Sequence, residues 1–331
     1  MSPEATTDGV PRVAFLFPGQ GSQKVGMGKA LVEASPAARA VFQEVDEALG
    51  FPLSRLCFEG PEAELTLTAN AQPAILATSV AALRVLQAET ALAPAAVAGH
   101  SLGEYSALVA AGALKLADAA RVVRLRGQFM QEAVPAGVGA MAAILGLEAA
   151  EAEAACADAR RELPDEIVSP ANLNGGAQIV IAGHKRAVER ACSAAQARGA
   201  KRAIPLAVSA PFHCELMRPA ADRLAAELHR IDFQDATVPV VANVDAAPHQ
   251  EARQLRDLLV RQVTAPVRWE ESVRRLVEVG VGQAVEVGHG VVLAGLVRRI
   301  APALTVRAAS DPTSIAAFKE VAPAKEDGNH A

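Results

Sequence analysis

Aromatic residues are scarce in this chain: one Trp, one Tyr and nine Phe among 331 residues. With Ala and Val plentiful, that composition argues against an aromatic-filled barrel or sandwich and for helices packed on a sheet. Cysteine is also sparse. Cys57, Cys156, Cys192 and Cys214 stand far apart with no C-x-x-C pair, which excludes a zinc-ribbon or disulfide framework and points to a reducing cytoplasm. They read as small buried hydrophobes. No apolar run approaches the roughly 18 residues a membrane span needs. The start, Met1-Ser2-Pro3-Glu4-Ala5, lacks the basic region and apolar stretch of a secretory signal. A formal net charge of -5 leaves no electrostatic footprint for nucleic acid.

What is present is apolar material, 51% of residues, enough for one large domain or a domain with an insert. Short apolar runs alternate with amphipathic stretches. Val13–Phe17, Ala95–Ala98, Val238–Ala242 and Val285–Val287 read as strands, the first ending at Pro18-Gly19. Ala74–Ala88 and Leu102–Ala111 read as helices, the second stopped by Gly112. This alternation predicts a mainly parallel sheet with helices on both faces. The middle differs. Gly139–Gly146, an Ala/Glu-rich helix, Val168–Leu173, Gln178–Ala182, a second Ala-rich helix and Lys201–Val208 run β-α-β-β-α-β. That order is the split ferredoxin-like unit. An insert at 138–206 is therefore expected within an α/β domain of segments 12–137 and 207–315, with tails at 1–11 and 322–331.

Gly99-His100-Ser101-Leu102-Gly103 lies between a predicted strand and a predicted helix, the setting a G-x-S-x-G nucleophile elbow requires. The helix start directs N–H groups and its positive dipole end toward Ser101, favouring a developing oxyanion. The bland alternative is a turn whose glycines serve packing. Phe17-Pro18-Gly19-Gln20-Gly21-Ser22-Gln23 fits neither common phosphate-loop spacing; it reads as an oxyanion loop or an ordinary tight turn. The serine needs a base. His100 is awkward inside the elbow, and His184, His229, His249, His289 and His330 sit in polar or helical contexts. His213, in the loop Val208-Ser209-Ala210-Pro211-Phe212-His213-Cys214, can take the serine proton and return it to a leaving thiol.

On the helix expected from Asp118 to Gln131, Arg121, Arg124, Gln128 and Gln131 share a polar face. Arg126 falls instead on the inward stripe of Val122, Phe129 and Met130. A buried guanidinium needs an anion, and its planar fork suits a carboxylate. The anion is either a protein Asp or Glu, or an acyl substrate that bears its own carboxylate, such as malonyl.

These motifs, with Gly139-Ala140-Met141 and Val287-Gly288, follow one another over Val13–Ser310 in an order that resembles the malonyl-CoA:acyl carrier protein transacylase family. The resemblance implies an α/β-hydrolase-like core with a mainly parallel sheet and an inserted ferredoxin-like small subdomain. It implies Ser101 as acyl acceptor, His213 as base, and Gln262 as the residue whose backbone carbonyl orients the histidine. It implies oxyanion N–H groups from Gln20 and Leu102, a carboxylate grip by Arg126, a pocket position for Gln72 and a place near the site for Asn172 and Asn174. Phe212, bulky beside the base, accompanies malonyl over branched acyl groups in related proteins. The implied substrates are malonyl-CoA and a phosphopantetheinylated acyl carrier protein, with no cofactor, no metal, a cytoplasmic location and a monomer. The acceptor would serve fatty acid synthesis or, in trans, a polyketide synthase. Two further readings stay open, a serine thioester hydrolase, with Asp158 or Asp165 as candidate acids, and a non-catalytic carrier-protein-binding module.

Overall fold

Short β-branched runs and longer amphipathic ones sort into two sheets in the computed structural model, which describes residues 12–208 and 210–319. The expected tails at 1–11 and 322–331, and Ser209 of the histidine loop, lie outside the described residues. The larger sheet contains β1 (Arg12–Phe17), β2 (Ala96–Gly99), β7 (Val240–Val241), β8 (Pro248–His249), β9 (Val281–Val287) and β10 (Thr305–Ala309). The smaller contains β3 (Gly139–Leu145), β4 (Val168–Leu173), β5 (Gln178–His184) and β6 (Arg202–Pro205).

The larger sheet runs β10-β9-β1-β2-β7-β8. Its pairings are parallel except β7 with β8. Alternation along β1 explains its two-sided burial. Phe15 and Phe17 enter the core with the helices Thr68–Glu89 and Leu116–Glu132. Ala14 and Leu16 face the opposite core, with Trp269, Val273, Leu293 and Val297 of the helices Trp269–Glu278 and Val292–Ile300. Helices cover both faces, as the alternating pattern predicts.

The insert is built in the expected order, β3, helix Ala149–Glu162, β4, β5, helix Lys185–Ala197, β6. Its sheet is antiparallel, ordered β4-β5-β3-β6. One face, with Ile144, Ile179 and Ile181, packs on its own two helices. The other, with Met141, Ala143, Val180 and Ala182, belongs to the main core. Strand β4 is stitched to the larger body where Leu173 N–H donates to Val267 O (2.8 Å) and Val267 N–H to Ala171 O (2.9 Å).

Several boundaries differ from the sequence reading. The helix expected from Ala74 begins at Thr68 and runs through Pro73. Proline cannot donate to the carbonyl four residues back, and Arg124 Nη1 donates to that carbonyl, Ala69 O, instead (3.3 Å). The run Val238–Ala242 is a strand only at Val240–Val241; Pro239 has no N–H to contribute, though its carbonyl accepts from Val97 N–H (2.9 Å). The Leu102 helix starts at Gly103, with Leu102 as its cap. Strands β8 and β10 escaped the sequence reading, being short or only partly buried. Among the described residues no helix is long and apolar enough to cross a membrane.

Candidate active site

The site gathers at the carboxyl ends of parallel strands, where open α/β sheets usually place ligands. The chain leaves β2 at Gly99 and turns so sharply that Ser101 takes φ 51°, a conformation side chains favour little. Close packing demands the flanking glycines. A Cβ on Gly99 would lie 1.9 Å from Gly103 C, and one on Gly103 would lie 2.0 Å from Phe17 O. The elbow helix, Gly103–Ala110, thus rests against the end of β1. Asn243, just after β7, holds the turn: its Nδ2 donates to Gly99 O (2.7 Å), and its Oδ1 accepts from Ser101 N–H (2.7 Å).

Ser101 Oγ lies 2.7 Å from His213 Nε2. His213 also has positive φ, 60°, and its Nδ1 donates to the backbone carbonyl of Gln262 (2.8 Å). That bond fixes the tautomer that leaves Nε2 free to accept the serine proton. Burial, followed by the nearby Arg126 charge, pushes the His213 pKa down to about 3. The imidazole is therefore neutral near neutral pH, the form a base requires.

Arg126 is buried, 2% exposed, as its place on the apolar stripe demands. Its Nη1 donates to Gln72 Oε1 (2.7 Å), and its Nη2 to Gln262 Oε1 (2.9 Å) and Ser101 Oγ (3.2 Å). Its Nε has no partner. Among the described residues no carboxylate comes within 4.0 Å of the guanidinium. A protein Asp or Glu is thus not its direct counter-ion, and the cation faces neutral amides beside the nucleophile.

These groups line a cleft of about 580 Å³ between the two sheets. Gln20, Gln72, Asn172 and Phe212 also line it. The Gln20 side chain donates to Thr68 Oγ1 (3.3 Å), and no described backbone bond uses the N–H of Gln20 or Leu102. The Asn172 side-chain oxygen, buried, has no partner. Asn174 Oδ1 meets His100 Nε2 (2.9 Å), so His100 ties the insert to the elbow, and its ring sits 5.5 Å from that of Trp269. Of the predicted site residues, Gln20, Gln72, Ser101, Arg126, Asn172, Phe212 and His213 line the cleft, while Leu102 and Gln262 are buried behind it. For the hydrolase alternative, His213 Nδ1 is taken by the Gln262 carbonyl, and Asp158 pairs with Arg198 in the insert (2.7 Å).

Residues 14–317 match the acyl transferase domain family. The chain belongs to that family. It is 52% identical over 308 residues to the malonyl CoA-acyl carrier protein transacylase of Escherichia coli strain K12, covering 93% of this chain and 99% of that protein. Among solved acyl transferases it resembles a malonyl-transacylase in complex with its type II PKS acyl-carrier protein, at 50% identity and TM-score 0.91, over 94% of this chain and 100% of that one. The Coxiella burnetii malonyl CoA-acyl carrier protein transacylase gives 44% identity and TM-score 0.91, over 94% and 98%.

Sequence reasoning missed two residues of this acyl transferase site. Asn243 had a usable signal, its place directly after the run Val238–Ala242, where strand-end loops build sites. Glu104, buried at 2% exposure in the first turn of the elbow helix, directly extends the elbow motif that carries the resemblance, and it is a charge in an otherwise apolar helix, but the motif alone assigns it no role. The side chain of Gln262 adds a function to its carbonyl, since its Nε2 donates to Ser101 O and to Glu104 Oε2 (both 3.0 Å).

Proposed function

We propose that the protein transfers a malonyl group from malonyl-CoA to the phosphopantetheine thiol of an acyl carrier protein, through a malonyl ester on Ser101. The observation that carries this reading is Arg126: a buried cation with neutral partners, 3.2 Å from Ser101 Oγ. A malonyl thioester offers a reacting carbonyl and, one methylene away, the carboxylate this guanidinium lacks. The names of the similar transacylases support the same substrates.

His213 Nε2 takes the Ser101 proton as Oγ attacks the thioester carbonyl. The N–H groups of Gln20 and Leu102 stabilise the tetrahedral oxyanion. The intermediate collapses, the carbon–sulfur bond breaks, and coenzyme A leaves with the proton from the imidazolium. The carrier thiol then repeats the sequence in reverse. The carboxylate has a second effect. By offsetting the Arg126 charge it removes one of the influences that depress His213, so a charged acyl group raises the basicity of its own catalyst. Phe212 and Gln72 shape the acyl end of the cleft, where bulk beside His213 disfavours an α-methyl group; such a contact discriminates by about 1–3 kcal/mol. Asn172 serves the same substrate from the insert.

The larger body, 12–137 with 207–315, is read as an α/β-hydrolase-like core, supported by the strand-elbow-helix at Ser101. The insert, 138–206, is read as ferredoxin-like, supported by its β-α-β-β-α-β order and the strand order β4-β5-β3-β6. The acceptor carrier serves fatty acid synthesis. The likeness to a transacylase solved with a type II PKS carrier favours including a polyketide carrier in the test.

Intact-mass measurement after mixing with malonyl-, methylmalonyl- and acetyl-CoA should show a malonyl adduct lost in Ser101→Ala. Adding either holo carrier protein should move the adduct to its thiol. Release to water at the same rate without any carrier would replace this reading by hydrolysis.

A further inference from the structure

Beneath the nucleophile lies an acid that the proposed chemistry does not use. The carboxylate of Glu104 accepts the backbone N–H of Asn243 (2.9 Å) and the side-chain Nε2 of Gln262 (3.0 Å) at one oxygen, Oε2. Each donor belongs to a residue that holds part of the site. Asn243 Oδ1 accepts from Ser101 N–H. Gln262 holds His213 through its carbonyl, and Arg126 through Oε1.

A side-chain amide can face either way, its oxygen and nitrogen differing little in shape. At Gln262 the choice has consequences. One face of the amide meets Glu104 and the other meets the Arg126 guanidinium, which can only donate. A carboxylate can only accept, so Glu104, together with the Ser101 carbonyl that accepts from the same Nε2 (3.0 Å), draws that end of the amide and leaves Oε1 for Arg126. Reversed, the amide would set N–H against guanidinium N–H at the bottom of the cleft. The place of Glu104 in the first turn of the elbow helix favours its ionised form. Burial outweighs the Asn243 and Gln262 donors and Arg126, which favour the ionised form, and the net pKa is raised to about 7.

We propose that Glu104 is a positioning residue: with the Ser101 carbonyl it holds the Gln262 amide in the orientation that aims Arg126 at the carboxylate of the acyl group. This rests on the acyl-transfer reading above. The role is specific in its consequence. Losing it should damage handling of an acyl group that carries a carboxylate more than handling of one that does not, because only the former uses Arg126.

The test compares Glu104→Gln and Glu104→Asp with the wild type, following the rate of acyl-Ser101 formation from malonyl-CoA and from acetyl-CoA. In Glu104→Gln the new side-chain amide can donate to Gln262 Oε1, so the reversed orientation is opposed only by the Ser101 carbonyl and the Arg126 guanidinium. The malonyl-to-acetyl rate ratio should fall at least about tenfold in Glu104→Gln, the scale of one charge-assisted hydrogen bond. Glu104→Asp keeps an acceptor-only group drawn back by one methylene, and should retain more of the ratio. If Glu104→Gln does not fold, the Asp variant carries the test alone, with a smaller fall in the same ratio. An unchanged ratio, or equal loss for both acyl groups, would overturn the assignment while leaving acyl transfer intact. A wild-type protein that malonyl-CoA fails to label would remove the acyl-transfer reading and this assignment together.

Discussion

Ser101 and His213, 2.7 Å apart at Oγ and Nε2, both hold left-handed backbone, φ 51° and 60°. Each such residue costs about 1–3 kcal/mol and survives only where neighbours over-determine it; here Asn243 fixes the serine and the Gln262 carbonyl fixes the histidine. Ser101→Gly should therefore be more stable to urea than Ser101→Ala by about 1 kcal/mol, since both lack the hydroxyl and only alanine keeps the strained Cβ. Equal midpoints would mean that the turn stores no strain. Arg126→Ala should slow malonyl labelling by about 100-fold, the loss of a buried charge-assisted pair, while acetyl labelling survives; equal loss of both would sink the carboxylate grip. The same variant should raise the His213 pKa from about 3 toward the ordinary value, stopping short because burial remains. Imidazole NMR titration checks this, and a downward or absent shift would contradict it. These shifts also bear on stability. A folded pKa below the unfolded one means that the neutral His213 stabilises the fold above about pH 6.5 and that this contribution is lost as pH falls toward 3. Glu104 acts oppositely: raised from 4.5 to about 7, its ionisation withdraws stability as pH rises through that interval.

At the scale of elements, the β2–elbow–helix unit works because backbone meets backbone. Gly103→Ala would thrust a Cβ to 2.0 Å from Phe17 O, and should cost about 3 kcal/mol in a denaturant titration. A loss under about 1 kcal/mol, the low end for overpacking, would show that β1 can yield. The G-x-S-x-G spacing was legible because strand, glycine and helix are local signals. The Thr68–Glu89 helix was only half legible, since Pro73 is a stop signal on local grounds and becomes tolerable through Arg124, which reaches the freed Ala69 carbonyl from another helix. Gln72, one residue earlier, owes its buried place beside Arg126 to that continuation.

Across the whole molecule, the two sheets share more than a cleft. Met141, Ala143, Val180 and Ala182 of the insert belong to the same core as Phe15 and Phe17, and β4 is stitched to Val267. The insert should accordingly not open by itself. Hydrogen exchange should give amides of β3 and β5 the same limiting opening free energy as those of β1 and β9. Earlier loss in β3 and β5 would show that the insert is an independent unit. The β-α-β-β-α-β order of that insert was readable from alternation alone, yet which face of its sheet would meet the core was not.

The sequence by itself determined the elements that depend on neighbours in the chain: the elbow at Ser101, the inward side of Arg126 and the order of the insert. Period and turn chemistry act over a few residues, so they leave their mark in the string. Tertiary structure alone decided what Arg126 would meet. Its side-chain partners, Gln72, Gln262 and Ser101, are 54, 136 and 25 positions away, and the absence of a carboxylate among them is a property of packing. It likewise decided that Glu104, one charge in an apolar helix, would lie beneath the nucleophile. A buried charge is recognised by its partners, and those partners are brought together only by the fold.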